Sequence, residues 1–413
     1  MRSASEATRP TRQATSPRRA SSTRRPSRST RETPLHTRTS CTPISPPCTR
    51  RSRSGTSRCC TPRSASISTR TSPRGGRAAA GGAGRSGEER VGGKTVRESG
   101  HDSGGGGAPS RLRVVAACAS SKGRKTQNED VPLLLDSLKE GRALYGVLDG
   151  HGGRDVAEWV SRRLPELLCE QPAASAPVKE ALRRAFVACD SELVLAATEQ
   201  GWCDGCCATA ALLELDAAPP RAYVANLGDS RAYACVVAGS GPARTVPLSK
   251  GDHSPLDAAE RKRIVAAGGH VEGGRLCGSL EVSRAFGDVR LKPFGLIATP
   301  DVVSFKIGRE TEFILLACDG LWRVFSGVQA VEWLRPKLCD MDRRRAALVA
   351  QLGSATAVAA LTREAHASLL KEREAATEEG VLRELVRVAV QERNARDNVT
   401  AVLVRFAWPE AES

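Results

Sequence analysis

Three apolar runs in this 413-residue chain end in an aspartate followed by a small or turn residue. Tyr145-Gly-Val-Leu leads into Asp149-Gly-His-Gly-Gly. Phe313-Ile-Leu-Leu-Ala-Cys leads into Asp319-Gly-Leu-Trp, and Val224-Ala-Asn-Leu-Gly into Asp229-Ser-Arg. A fourth aspartate, Asp397, stands just ahead of an apolar run that starts at Val399, and the acidic pair Glu129-Asp130 precedes them all. Converging carboxylates cannot all ionise unless something supplies positive charge. Hard divalent cations held by oxygen ligands are the usual remedy. Each motif alone has a plainer reading, since Asp-Gly is a good turn dipeptide and a strand-terminal Asp can cap a following helix. Four such sites plus an acidic pair make coincidence the weaker account. Gly150, Gly152 and Gly153 allow close backbone approach to an ion, and the Gly150 carbonyl is a candidate ligand. His151 beside them is either a turn histidine satisfied by backbone or a proton donor.

The elements that must position these groups follow from periodicity. Strands are predicted over Leu112–Ala119, Leu144–Leu148, Ala208–Leu215, Arg221–Asn226, Arg231–Val237, Glu312–Ala317 and Val399–Phe406, with one more ahead of Pro300. Helical spacing covers Arg154–Leu168 and Val178–Ala197. Pro255 and Asp257 open a helix that runs to about Ala267 and closes at Gly268-Gly269. Helices dominate from Gly327 to Asn394, including an Ala-, Arg- and Glu-rich stretch from Met341 to Glu379 that carries no evident chemistry. Blocks of strands joined by short turns, then blocks of helices, imply an α+β domain with antiparallel sheets.

Net charge is +16, but it is not spread evenly. Residues 1–110 hold 22 Lys/Arg against 6 Asp/Glu, and residues 111–413 hold 40 of each. The folded part is therefore formally neutral, and basicity says nothing about its ligand. Residues 1–110 are Arg, Ser, Thr, Pro and Gly with few apolar residues, so they are expected to be disordered. Such a tail can contact acidic partners or nucleic acid without specificity, or act as a spacer. Its Ser-Pro and Thr-Pro pairs are either phosphorylation sites or compositional noise. The domain is expected over 111–407, with a short tail at 408–413. No apolar run is long enough to span a membrane, and the N-terminus has no secretory h-region. A cytoplasmic or nuclear protein is expected, with organellar targeting by the Arg- and Ser-rich tail left open. Ten of the 14 cysteines lie beyond the tail, several inside apolar runs, as reduced core cysteines do. Cys203 and Cys206 have zinc-like spacing, but no second pair follows them.

At these residues the chain resembles the protein phosphatase 2C family of metal-dependent Ser/Thr phosphatases. The resemblance is an ordered series: Lys122–Asp130, Asp149–Gly153, Asp204-Gly205, Val224–Ala232, Leu248–Pro255, Glu281–Asp288, Leu316–Trp322 and Arg396–Thr400. It spans roughly residues 111–407. The stretch from Asp252 to Asp288 is most similar to the branch containing integrin-linked-kinase-associated phosphatase. The resemblance implies a central β-sandwich of two antiparallel sheets flanked by helices, with metals in a cleft at one end. It implies two Mg²⁺ or Mn²⁺ ions, with Asp149 bridging them, the Gly150 carbonyl joining one, and Asp319 and Asp397 holding the other. Glu129 and Asp130 would bind waters on the metals, and Asp229 with Asp319 would help hold a weaker third ion. A metal-activated water would attack phosphoserine or phosphothreonine in protein substrates, with His151 as general acid.

Two departures stand out. Where the family has a phosphate-binding arginine, this chain has Lys125 with Arg124 beside it, and lysine supplies charge without a bidentate fork. Where the family commonly has Ser-Thr after the central Asp-Gly, this chain has Cys206-Cys207. These thiols either alter the metal surroundings or are simply small strand residues. Both departures motivate an alternative, a catalytically weak pseudophosphatase that binds phosphoproteins. The retained Asp149, His151, Asp319 and Asp397 argue against it.

Overall fold

The computed structural model describes residues 112–139, 141–170, 177–353 and 376–409, with residues 363, 365, 368–370 and 372 between the last two spans. The basic segment 1–110 lies outside the described residues, as do residues 410–413. In chain order the elements begin with β1 (Arg113–Ser121), β2 (Val131–Lys139), β3 (Arg142–His151), α1 (Asp155–Glu170) and α2 (Val178–Gln200). Next come β4 (Gly205–Glu214), β5 (Arg221–Leu227), β6 (Arg231–Val237), β7 (Ala243–Pro247) and α3 (Ala258–Ala266). Three two-residue strands follow, β8 (Val271–Glu272), β9 (Arg275–Leu276) and β10 (Phe286–Gly287). The chain then forms β11 (Asp301–Lys306), β12 (Thr311–Ala317), α4 (Asp319–Trp322), α5 (Gly327–Gly353), α6 (Glu378–Arg387) and β13 (Val399–Ala407).

One sheet has the order β1-β13-β12-β6-β7, and the other β11-β5-β4-β3-β2. Neighbouring strands in both are antiparallel. Because successive side chains alternate between faces, each inner strand feeds two cores. On β12, Phe313, Leu315 and Ala317 pack against α5 and α6, while Ile314 and Leu316 fill the space between the sheets. On β3, Leu144 and Leu148 face α1 and α2, while Ala143, Tyr145 and Val147 face the other sheet. The result is a helix–sheet–sheet–helix stack, the α+β sandwich expected from the sequence.

The helix ends are set by local chemistry. Asp257 caps α3, its carboxylate accepting the Ala259 and Glu260 N–H groups, as Asp257 predicts. α2 closes on Gly201 in the left-handed conformation. α1 takes its cap from a distance: the Asp204 carboxylate accepts the Val156 N–H at 2.8 Å. Most predicted helices and strands recur within a few residues, but the strand expected ahead of Pro300 does not: β11 starts just after that proline, which lacks the N–H a ladder needs. β7 was not expected either, nor was β2. It contains Pro132, which breaks a strand pattern, and it is tolerated because β2 is an edge strand.

The stretch from α3 to β10 forms a smaller layer of its own around Ile264, Leu276, Val282, Ala285 and Leu296. Its anchor is the buried Glu260, which accepts hydrogen bonds from Arg284 at 2.6 Å and from the Ser283 hydroxyl at 2.5 Å. Burial pushes the Glu260 pKa up, but Arg284, Ser283 and Arg263 together hold it at about 2. β10 joins the layer to the sandwich, pairing Phe286 with Cys206 and Gly287 with Gly205. Phe286 also packs on Phe186 of α2, with ring centroids 5.2 Å apart. Phe186→Ala is expected to cost about 3–5 kcal/mol through the cavity it leaves, read as a lowered urea midpoint. A loss below about 1 kcal/mol would mean that this ring pair does not anchor β10.

Candidate metal centre

Antiparallel strands return the chain repeatedly to the same end of the sandwich, and the acidic groups collect there. Asp130 precedes β2, Asp149 lies near the C-terminal end of β3, and Asp229 sits between β5 and β6. Asp319 opens α4 just after β12, and Asp397 leads into β13. The juxtaposition shows in the acidities. Burial, then the charges of Asp130, Asp319, Asp229 and Asp397, push Asp149 well above the usual carboxylate range. Asp319 is raised to about 7 by burial and by Asp229 and Asp397, against the opposing pull of Arg323. Glu129 is raised by burial, with Lys125 and His151 opposing. The sequence-predicted acids thus share one electrostatic site.

The donor set suits a hard cation. Asp130 is buried, and neither of its oxygens receives a well-formed hydrogen bond among the described residues. The Thr400 hydroxyl and Cys318 thiol lie close enough to draw its pKa down from where burial pushes it, leaving it at about 6. An unsatisfied buried carboxylate calls for a partner such as an ion or a water bound to one. Asp130, Asp149 and Cys318 bring donor atoms within 4.8 Å of one another. The thiol is already engaged, accepting the Thr400 N–H at 3.1 Å, and burial keeps it protonated. That leaves oxygen donors, which Mg²⁺ and Mn²⁺ prefer. Gly150 is required here: a Cβ would lie 2.5 Å from the Glu129 carbonyl oxygen.

His151 Nε2 lies 2.7 Å from Asp288 Oδ2. Burial pulls the His151 pKa down, but the Asp288 hydrogen bond and the charges of Asp288, Asp229 and Glu129 outweigh it, and the net shift is upward. Lys125 is exposed and pairs with Asp397 Oδ1 at 2.8 Å. Arg124 points its guanidinium to the Asn394 side chain instead.

Several residues that matter to this geometry had no role assigned from the sequence. Asn398 fastens the loop that carries Lys125 and Glu129. Its side-chain oxygen accepts the Glu129 N–H at 2.9 Å, and its amide donates to the Lys122 and Gln127 carbonyls, each at 2.9 Å. Asp288 reaches His151 across Gly205, where a Cβ would collide with both side chains. His253 accepts the Gly228 N–H at 3.0 Å and so pins the turn carrying Asp229. Burial and nearby Arg284 lower its pKa to about 4, which leaves that nitrogen free to accept. Asn398, Asp288 and His253 all lie inside the sequence motifs that carry the resemblance, but nothing in their spacing distinguishes a positioning side chain from a filler.

Cys206 and Cys207 are fully enclosed strand residues on opposite faces of β4. Cys206 belongs to the helix-side core and Cys207 to the α3–β10 layer. The Cys207 thiol lies close enough to the Asp229 carboxylate to draw its pKa down, against the upward push of burial. Burial, with nearby carboxylates, raises both thiol pKa values well above normal, so both stay protonated.

The family model described as Protein phosphatase 2C matches residues 116–366. The chain belongs to the protein phosphatase 2C family. It is therefore grouped with the Mg²⁺- or Mn²⁺-dependent protein serine/threonine phosphatases. It is 36% identical over 282 residues to "Probable protein phosphatase 2C 59" of Oryza sativa subsp. japonica, covering 67% of this chain and 83% of that protein. It is 41% identical over 202 residues to "Protein phosphatase 2C homolog 2" of Schizosaccharomyces pombe, covering 47% and 52% of the two chains. In fold it is similar to the crystal structure of serine-threonine phosphatase 2C from Toxoplasma gondii. The TM-score is 0.52 at 24% identity, covering 73% of this chain and 96% of that one.

The raised carboxyl pKa values bear on the stability of this phosphatase 2C domain. A carboxyl whose pKa is higher folded than unfolded stabilises the fold fully below the unfolded value, about 3.9 for Asp, and loses that contribution as pH rises through the folded value. With Asp130 at about 6 and Asp319 at about 7, the metal-free protein should lose Tm between about pH 4 and pH 7. Mg²⁺ or Mn²⁺ should raise Tm more at the upper end of that range. Thermal melts across this range with and without ion check both; an ion-induced shift that does not grow with pH would contradict the assignment.

Proposed function

We propose that the chain hydrolyses phosphoserine and phosphothreonine in proteins at a two-ion Mg²⁺ or Mn²⁺ centre. Asp149, the Gly150 carbonyl, Asp319 and Asp397 would hold the ions, with Glu129 and Asp130 binding the waters around them. The observation that carries this is the crowding of carboxylates on Asp149 together with the unsatisfied Asp130. When bound, the ions supply an acidic water for attack and take up charge on the phosphoryl group.

The chain's own groups supply the rest. Asp288 orients His151 through Nε2 and favours its protonated form, so that His151 can give a proton to the departing seryl or threonyl oxygen. Lys125 stands exposed at the rim with its ammonium on Asp397. A substrate phosphate arriving there competes with Asp397 for the same charge. Arg124, held by Asn394, would serve phosphate only after leaving that partner. The buried, protonated Cys206 and Cys207 take no nucleophilic part. Phosphoproteins are the expected substrates and partners.

The Lys125–Asp397 pair also favours the second reading, a weak phosphatase that binds phosphoproteins, because it sets a fixed cation on an expected ligand. The two readings separate on turnover. The full chain should hydrolyse a phosphothreonine peptide with Mn²⁺ and lose that activity with EDTA. Asp149→Asn should lower kcat/KM by more than about 100-fold without unfolding the protein. Ion binding and peptide binding without turnover would favour the weak phosphatase. Lys125→Arg should lower KM, since a guanidinium grips phosphate at two points; an unchanged KM would remove Lys125 from phosphate binding.

A further inference from the structure

Beside the carboxylate cluster lies a cavity of about 210 Å³ lined by Asp229, Arg231, Asp252, Asp319, Trp322 and Arg323. Resemblance alone leads one to expect a weak third cation here, between Asp229 and Asp319. The side chains in place describe something different. Asp319 Oδ2 accepts from Arg323 Nε at 2.6 Å, and Arg323 Nη2 lies as close to the same oxygen, at 2.6 Å. The same Nη2 reaches Glu281 Oε2 at 3.0 Å, and Glu281 is itself paired with Arg275. The Arg323 guanidinium is thus fixed from two sides, one of them the α3–β10 layer. Its position follows from the fold of α4: Arg323 is four residues after Asp319 and donates its N–H to the Asp319 carbonyl at 2.8 Å, which puts the two side chains on one face.

The other charges around the cavity are also committed. Asp252 is held by Arg231 through two contacts of 2.6 Å. Burial raises the Asp229 pKa, while the nearby Cys207 thiol and the Arg323 charge pull toward its ionised form. Two guanidinium groups therefore face three carboxylates in one cavity. A dication entering between Asp229 and Asp319 would have to approach a guanidinium already seated on Asp319, and like charges at that range repel.

We propose that Arg323 supplies, as part of the chain, the positive charge that a third cation would otherwise bring to Asp229 and Asp319, so that the centre takes two ions and no third. This rests on the two-ion reading above. The built-in charge differs from an ion in two ways. It cannot be exchanged or removed by a chelator, and through Glu281 it ties the Asp319 ligand to the α3–β10 layer. It also engages Oδ2 of Asp319, which leaves Oδ1 as the oxygen outside that pair.

The test counts ions directly. Equilibrium dialysis of the full chain against rising Mn²⁺, with metal analysis and Mn²⁺ electron paramagnetic resonance, should saturate at two ions per chain. Arg323→Met should admit a third, weaker ion, bound about tenfold or more tightly than any further ion on the unaltered chain. Arg323→Lys, which keeps the charge, should stay at two. A third ion on the unaltered chain with the affinity seen in Arg323→Met overturns the proposal. So does a count of two in an Arg323→Met protein whose circular dichroism and Tm match the parent. A third ion in Arg323→Lys also overturns it, whether or not Arg323→Met folds. Failure of the two-ion reading is a separate result, seen as fewer than two ions on the unaltered chain, and it overturns both.

Discussion

Negative charge packed more closely than water would allow is the constraint around which this end of the molecule is built. Asp149 is pressed by Asp130, Asp319, Asp229 and Asp397, and mutual repulsion in a partly dehydrated site is costly. Among the described residues, two cations sit directly on these acids, Lys125 on Asp397 and Arg323 on Asp319. Both act from the rim, where each side chain remains about half exposed. The inner pair, Asp130 and Asp149, is left without a cation of the chain among the described residues. Divalent ions fit that deficit, and they account for a cluster that the fold would otherwise have to carry at a cost to its own stability.

Holding the cluster requires backbone, not only side chains. Small residues crowd the strand ends at the site, because each loop must lie against another loop. Gly150 admits the Glu129 backbone, and Gly205 admits the His151–Asp288 contact. Asn398 then fixes the Lys122–Glu129 loop through three hydrogen bonds of 2.9 Å. A single amide side chain can do this because it offers an acceptor and two donors at once. The same residue is next to Asp397, so the loop and this carboxylate are positioned together.

The α3–β10 layer is coupled to the site at both of its ends. Phe286 and Gly287 extend β4 where β5 has turned away, and Asp288 immediately after them reaches His151. Glu281, seven residues earlier, meets Arg323 and through it Asp319. The Glu260 network with Arg284, Arg263 and Ser283 makes this layer rigid. Movement of the layer would therefore shift His151 and Asp319 together.

Much of this was legible in the sequence. The periodicities gave the α+β class, and most strands and helices appear within a few residues of where the pattern puts them. The aspartates stood out because each interrupts an apolar run at a turn, a local signal that needs no partner to be recognised. β2 escaped because Pro132 breaks the strand pattern, and only the sheet order shows that the proline sits on an edge. Asp288, Asn398, His253 and Arg323 escaped for a different reason. Their side chains act on residues 25 to 276 positions away, or, for Arg323, on an acid one helical turn back within a helix too short to be foreseen. Local composition and spacing are fixed by the chain and decide which residues can turn, pair or bury. Which carboxylates share a field, and which cations reach them, depends on strands brought together from opposite ends of the sequence, and only the packed sandwich decides that.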